Sequence, residues 1–322
     1  DIIWAAEHHA IETTIGPAPF QLLAHFANHT FRIRLGTGVV VAPYWHPVKL
    51  AGEAALLDWI SNGRLEFGIG RGAYQREFDR MADGIDQKIG GPMMQEMLPA
   101  LKKLWAGDYT HEGKYWSFPN STSVPKPLQK PHPPIWVAAR DPETFKMAVK
   151  EGYSIMSWPL TRPLAELDTY LARFKAALAA AGPLPVRPRF MAMRHVGVWE
   201  NARERDVFIE SIRRQGRQFE NLFKNLAPVI DGFPQEPDIS LLENQAEYEP
   251  EVLMQNLILG TPDEVIAKLK PYEERGVDYF CYNAAYGLPI EKQQSSLRLF
   301  IDEVMPAFQE TQKRVPAPVG AK

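Results

Sequence analysis

Apolar runs and amphipathic stretches take turns along almost the whole chain. Short runs rich in Ile, Val, Phe and Trp at residues 1–6, 32–41, 65–69, 135–139, 153–158, 187–199 and 277–283 read as buried strands. Between them, residues 19–28, 46–61, 93–105, 142–151, 163–181, 202–226, 262–275 and 290–309 carry apolar positions at helical spacing, as in Leu50, Ala54, Leu57 and Ile60. Local signals mark several ends. Asn62-Gly63 closes one helix, Asp141 stands before Pro142 as a cap, and Thr261 with Glu264 makes a capping box. Strand followed by helix, with almost no hairpins, predicts a parallel sheet with helices outside.

Some segments depart from this rhythm. Residues 109–118, around Glu112-Gly113, form a small hairpin, and the proline-rich 121–134 segment is a surface linker. Residues 75–91 read as a polar, irregular loop with room for a helical turn. Residues 227–251, rich in Pro, Asp and Glu, are too long for a passive connector and are expected to form a mobile lid. Residues 310–322 are expected to be a flexible tail. The chain opens directly on a strand pattern, Asp1-Ile-Ile-Trp-Ala-Ala, so a further strand and helix are expected upstream. Seven strands plus that one predict an α/β fold, a (β/α)8 TIM barrel, as a single domain over 1–322.

Composition narrows the function. The chain has 322 residues, 45% of them hydrophobic and 23% charged, enough for a large soluble core. A net charge of −3 argues against a nucleic-acid partner. One cysteine, Cys281, excludes an intrachain disulfide and suits a reducing cytoplasm. No apolar run approaches the roughly 20 residues needed to span a bilayer.

The stretch RLEFGIGRGAYQREF, residues 64–78, runs a strand into a glycine-rich turn carrying Arg71, an arrangement suited to a phosphate. Gly68–Ala73 also fits G-x-G-x-x-G/A, but at least two strands precede it and no acidic residue follows at the end of the next strand, so a dinucleotide fingerprint is disfavoured. Glu7-His8-His9, at the end of the first strand, offers metal ligands. Adjacent strand histidines point to opposite faces, however, and no metal site is expected. A general base at the barrel mouth, or one packed and one solvated histidine, are the readings left open.

In order along the chain, Trp4-x-x-Glu7-His8-His9, Arg34-Leu-Gly-Thr-Gly38, His46-Pro47-Val48, Glu53, Leu57-Asp58, Gly63-Arg64-Leu-x-Phe67-Gly-Ile-x-Arg71-Gly, Val137-Ala-Ala-Arg-Asp-Pro-Glu-Thr144, Ser157-Trp158, Gly260-Thr-Pro-Asp-Glu264 and Val304-Met-Pro306 resemble the bacterial luciferase-like, flavin-dependent monooxygenases. The resemblance implies a TIM barrel that binds reduced FMN at the carboxyl ends of its strands. It implies His8 as the catalytic histidine, with Glu7 and His9 beside it. Arg71, Arg140, Asp141 and Thr144 would hold the flavin phosphate, Gly38-Val39 would be a cis peptide beside the ring, and Trp158 would sit at the ring edge. Two departures stand out. Gly70 replaces a reactive cysteine of luciferase, and Arg140-Asp141 replaces a Glu-Ser pair, so Asp141 would repel a phosphate unless it caps the helix at Pro142. Trp4, Val39, Ile69 and Trp158 are at strand positions able to form a flat apolar slot, or simply barrel core.

The implied activity is oxygenation of an apolar organic substrate by reduced FMN and O2 through a C4a-peroxide, with the flavin supplied by a separate NAD(P)H:flavin reductase. An F420-dependent hydride transfer on the same fold and a non-catalytic flavin-binding accessory role are the alternatives; light emission is not predicted. A homodimer through the 19–28 and 48–61 helices is implied by the same resemblance.

Overall fold

The computed structural model describes residues 1–11, 16–242, 245–284 and 286–308. The expected tail at 310–322 and part of the expected lid, Glu243 and Asn244, lie outside the described residues. The chain divides into two compact units. One comprises Asp1–Ser157, Arg173–Arg189 and Glu220–Glu236, and the other Trp158–Ala172, Phe190–Phe219 and the chain from Pro237 on.

The first unit holds strands β1 (Ile2–Ala5), β2 (Arg34–Thr37), β3 (Val40–Val41), β4 (Leu65–Gly70), the hairpin β5 (Tyr109–Glu112) and β6 (Ser117–Ser121), then β7 (Ile135–Ala138) and β8 (Ser154–Ser157). β1 pairs β2, β2 and β3 pair β4, β4 pairs β7 and β7 pairs β8, all parallel, while β5 and β6 form the expected antiparallel hairpin. Helices α1 (Pro19–His29), α2 (Pro47–Ile60), α3 (Gln75–Met81), α4 (Gly90–Ala106) and α5 (Pro142–Lys150) connect the strands. β4 is buried at every position, so its run reads as continuous rather than alternating, as expected for a strand covered on both faces. Leu50, Ala51, Ala54 and Leu57 of α2 and Met94, Met97, Leu98 and Leu101 of α4 supply buried helix faces.

The predicted single strand over 32–41 is two strands. Between them the Gly38–Val39 peptide is cis. The sheet ladder gives way there to side-chain and loop bonds. The Thr37 hydroxyl donates to Gly68 O at 2.7 Å and accepts from Gly68 N at 2.8 Å, while Gly38 N donates to Ala5 O at 2.7 Å. On the amino-terminal half of β4, Glu66 is buried with Arg34 Nε at 2.5 Å and Trp136 Nε1 at 2.6 Å, a structural ion pair in the strand interior. The proline linker is tied down by Gln129, whose N and Nε2 donate to the buried Asp58 at 2.8 and 2.7 Å.

The second unit holds the nine-residue β9 (Phe190–Val198), with β10 (Ile258–Gly260) and β11 (Tyr279–Asn283) parallel to it at successive parts of its length. β10 was not expected; at three residues it is too short to carry a period. Helices α6 (Leu164–Ala181) and α7 (Arg205–Lys224) begin in this unit, and α8 (Pro250–Asn256), α9 (Pro262–Glu274) and α10 (Ile290–Leu299) follow. The capping box at Thr261 is present, with Thr261 N donating to Glu264 Oε2 at 2.7 Å. Trp199, Phe208, Ile212, Leu253, Leu259 and Tyr286 form its core cluster. Cys281 is half-buried in β11, and desolvation pushes its thiol up to about 12, well away from a reactive thiolate.

Candidate active site

Because β1, β2, β4 and β7 run parallel, the loops at their carboxyl ends emerge on one edge of the first unit's sheet. All of the first unit's expected site residues sit in those loops or just after them. The loop after β1 carries Glu7, His8 and His9, the break after β2 carries Gly38 and Val39, the loop after β4 carries Arg71, and the loop after β7 carries Arg140 and Asp141.

Glu7 is buried at 2% exposure and acts as a hub. Its carboxylate accepts from Val41 N at 2.6 Å, from Trp45 Nε1 at 2.9 and 3.0 Å, and from His9 Nε2 at 2.8 Å. Its own N–H donates to Val39 O at 3.2 Å. Glu7 therefore fixes the backbone just after the cis peptide and holds the His9 ring. A buried carboxylate with this many donors resists leaving its place, since each donor would lose its partner.

His8 is held differently. Its backbone N donates to Gly16 O at 2.9 Å, and its ring stacks obliquely on Tyr74, 5.7 Å between centroids. Its Nδ1 faces both oxygens of Glu77, at 3.2 and 3.3 Å, and His9 N donates to the same carboxylate at 2.7 Å. Glu77 is 1% exposed. It lies on α3, inside the stretch expected to be a polar loop with a helical turn, and this carboxylate was not anticipated. The helix has seven residues and buries Arg76, Glu77 and Phe78 together, a mixture that imitates a solvated turn. Tyr44 and Tyr74 complete this wall. Burial, then the negative charges of Glu77 and Glu7, raise the Tyr44 phenol above its ordinary range. Burial and Glu77 raise that of Tyr74, against the pull of Arg140.

Arg71 and Arg140 stand at the ends of neighbouring strands. Arg71 is exposed and reaches only Gln87 Oε1, at 3.4 Å; among the described residues neither arginine forms an ion pair. Asp141 caps α5, accepting from Thr144 N at 2.9 Å and from the Thr144 hydroxyl at 2.7 Å. Partial burial raises its carboxyl, but the Thr144 bonds and the nearby Arg71 outweigh that and hold it below the usual range. Both donors of Thr144 are thus engaged by Asp141. Two guanidinium groups that form no ion pair among the described residues, on loops close enough for Arg71 to act on Asp141 and Arg140 on Tyr74, have the chemistry to take an anionic group such as a phosphate.

The apolar residues separate into two kinds. Val39 and Trp4 are partly exposed, and Trp4 packs edge-on to Trp136 at 5.5 Å and lies over Gly36, where a Cβ would be 2.2 Å from its ring. Ile69 is fully buried core rather than slot wall. Trp158 belongs to the second unit, against His195 and Phe219 at 5.4 and 5.6 Å between centroids. Its Nε1 and the His195 Nδ1 have no partner among the described residues, and burial lowers His195 to about 3, keeping it neutral. No cluster of three metal-ligating side chains occurs among the described residues.

Comparison with known proteins identifies the family. The model of the luciferase-like monooxygenase family matches residues 1–279. The oxygenase component of flavin-dependent trigonelline monooxygenase from Acinetobacter baylyi is 42% identical over 309 residues, 96% of this chain and 86% of that protein. A monooxygenase structure from Streptomyces bottropensis superposes with a TM-score of 0.79 at 28% identity, covering 95% of this chain and 88% of the other. The FMN complex of the oxygenating constituent of 3,6-diketocamphane monooxygenase from Pseudomonas putida shares the fold, with a TM-score of 0.69 at 23% identity over 95% and 88% of the two chains. Among the described residues no helix is long and apolar enough to cross a membrane. The chain therefore belongs to the luciferase-like monooxygenases, FMN-using oxidoreductases of the TIM-barrel fold.

Proposed function

We propose that this chain is the oxygenase component of a two-component system, receiving reduced FMN from a separate NAD(P)H:flavin reductase and inserting one atom of O2 into a small organic substrate. The observation that carries this reading is the placement of two arginines that form no ion pair among the described residues, together with the His8–Glu77 pair, on one edge of the first unit's sheet. Arg71 and Arg140 hold the phosphate. Asp141 and Thr144 serve as the α5 cap that keeps Arg140 in place, because their polar atoms already satisfy each other. Gly38–Val39 and Trp4 border the ring, and Glu7 with His9 keeps that border rigid. Bound reduced FMN supplies the electrons that activate O2. His8 takes and returns a proton at its ring nitrogen, and the surrounding apolar wall keeps water away.

The relative named for trigonelline makes that zwitterion the first substrate to try. A bicyclic ketone such as 3,6-diketocamphane represents the apolar class expected from the sequence. The test supplies a flavin reductase, NADH and FMN, and follows O2 uptake and oxygenated product by mass spectrometry. Product that requires both O2 and the protein supports the reading. Failure to bind FMN at about 100 μM, or turnover of an alcohol under strictly anaerobic conditions with F420, overturns it.

We also propose a homodimer through α1 and α2. Leu22, Leu56, Trp59 and Ile60 leave 41–51% of their surface exposed on these two helices. Leu56→Asp is expected to shift the protein from dimer to monomer in sedimentation velocity; an unchanged sedimentation coefficient rejects this face.

A further inference from the structure

His8 and His9 are neighbours in sequence, yet their rings are fixed through opposite nitrogens. His9 is held at Nε2 by Glu7, which also secures Val41 and Trp45. His8 is held at Nδ1 by Glu77, and its Nε2 has no partner among the described residues. Its side chain keeps 24% exposure while Glu77 keeps 1%, so the carboxylate is buried and the working face of the ring is open.

We propose that Glu77 is a positioning residue for His8, holding the neutral imidazole as the Nδ1–H tautomer so that Nε2 carries the lone pair that accepts the proton. The inference rests on the oxygenase reading above and deepens it. A carboxylate can only accept, so the nitrogen facing it must carry the hydrogen; the other nitrogen is then the base. Two further contacts make the arrangement rigid. The same carboxylate takes the His9 N–H at 2.7 Å, which fixes the backbone that presents the ring. α3 is itself anchored on either side of Glu77, since Arg76 bonds Asn225 and Arg80 bonds the carbonyls of Ala10 and Gly232. Glu77 therefore arrives on a braced helix rather than on a loose turn. The logic is that of a carboxylate–imidazole pair in which the acid sets the tautomer and the direction of the ring without itself taking the proton.

The test begins with the flavin-free protein. In 15N NMR of labelled protein at a pH where the rings are neutral, His8 should show a protonated Nδ1 and His9 a protonated Nε2, assigned with His8→Gln. A protonated Nε2 on His8 overturns the proposal whatever the protein does with flavin. In the reconstituted enzyme, Glu77→Gln should lower kcat for product formation by about 10- to 100-fold, the scale of one misdirected general base, with FMN affinity and KM nearly unchanged. Glu77→Asp, which keeps the charge, should recover part of that loss. Wild-type kcat in Glu77→Gln, or no recovery in a folded Glu77→Asp, overturns the proposal. Failure of the wild-type protein to bind FMN instead rejects the oxygenase reading and leaves the NMR result to decide the pairing.

Discussion

Replacing Arg71 and Arg140 together by alanine is expected to weaken FMN binding by about 10²- to 10⁴-fold, because each removes a charge-assisted bond of roughly 1.5–3 kcal/mol to the phosphate. Among the described residues neither side chain forms an ion pair, so little internal structure is lost with them. The cost falls on the ligand, and thermal unfolding without flavin should be nearly unchanged. Fluorescence titration with FMN reads the affinity, and riboflavin, which lacks the phosphate, supplies the control. The double variant should bind FMN and riboflavin alike. A variant that still prefers FMN by the wild-type ratio would remove both arginines from the phosphate site. Lys146→Ala, on an exposed face of α5 in an ion pair with Glu143, should leave binding intact.

Gly68→Ala is expected to be the most damaging single methyl addition to the sheet. A Cβ at Gly68 would lie 1.9 Å from the Thr37 carbonyl oxygen, and a backbone atom cannot swing aside as a side chain can. β4 would have to move away from β2, breaking the two bonds between Thr37 Oγ1 and Gly68 that close the ladder beside the cis peptide. The loss should be on the order of 3 kcal/mol or more, the upper end for overpacking a core. Circular dichroism should show a melting temperature lower by roughly 5 °C or more. Gly107→Ala, with nothing within 4 Å of its Cβ and an extended backbone, is the matched control and should shift little. A normal melting temperature in Gly68→Ala would mean that the strand spacing at this point is softer than the contact implies.

The alternation of apolar runs and amphipathic stretches was enough to place most strands and helices of both units, since burial on a strand or helix imposes its own period. The sites where it failed share a cause. β10 is three residues long, and α3 is one and a half to two turns of charged side chains. In both, position is decided by partners far along the chain rather than by local pattern. Glu77 looks solvated in sequence because Gln75, Arg76, Asp79 and Arg80 surround it, yet it is buried by contacts with residues 68 and 69 positions away. The apolar pattern hid the break between β2 and β3 for a related reason, although the resemblance implied the cis peptide at Gly38-Val39. The apolar run Val39-Val40-Val41 continues through it, and only the Thr37 hydroxyl and the Glu7 hub reveal where the ladder ends.

Residue identities alone determined that a cation would follow β4, that a histidine pair would follow β1, and that a capped helix would follow Arg140, because turn glycines, prolines and caps act over a few residues. Tertiary structure decided which of these groups work together. It turned Asp141 onto Thr144 as a helix cap, assigned one buried carboxylate to each histidine, and left Arg71 and Arg140 without an ion pair among the described residues. A buried polar group must find its partner wherever the folded chain brings one, and sequence distance carries no record of that meeting.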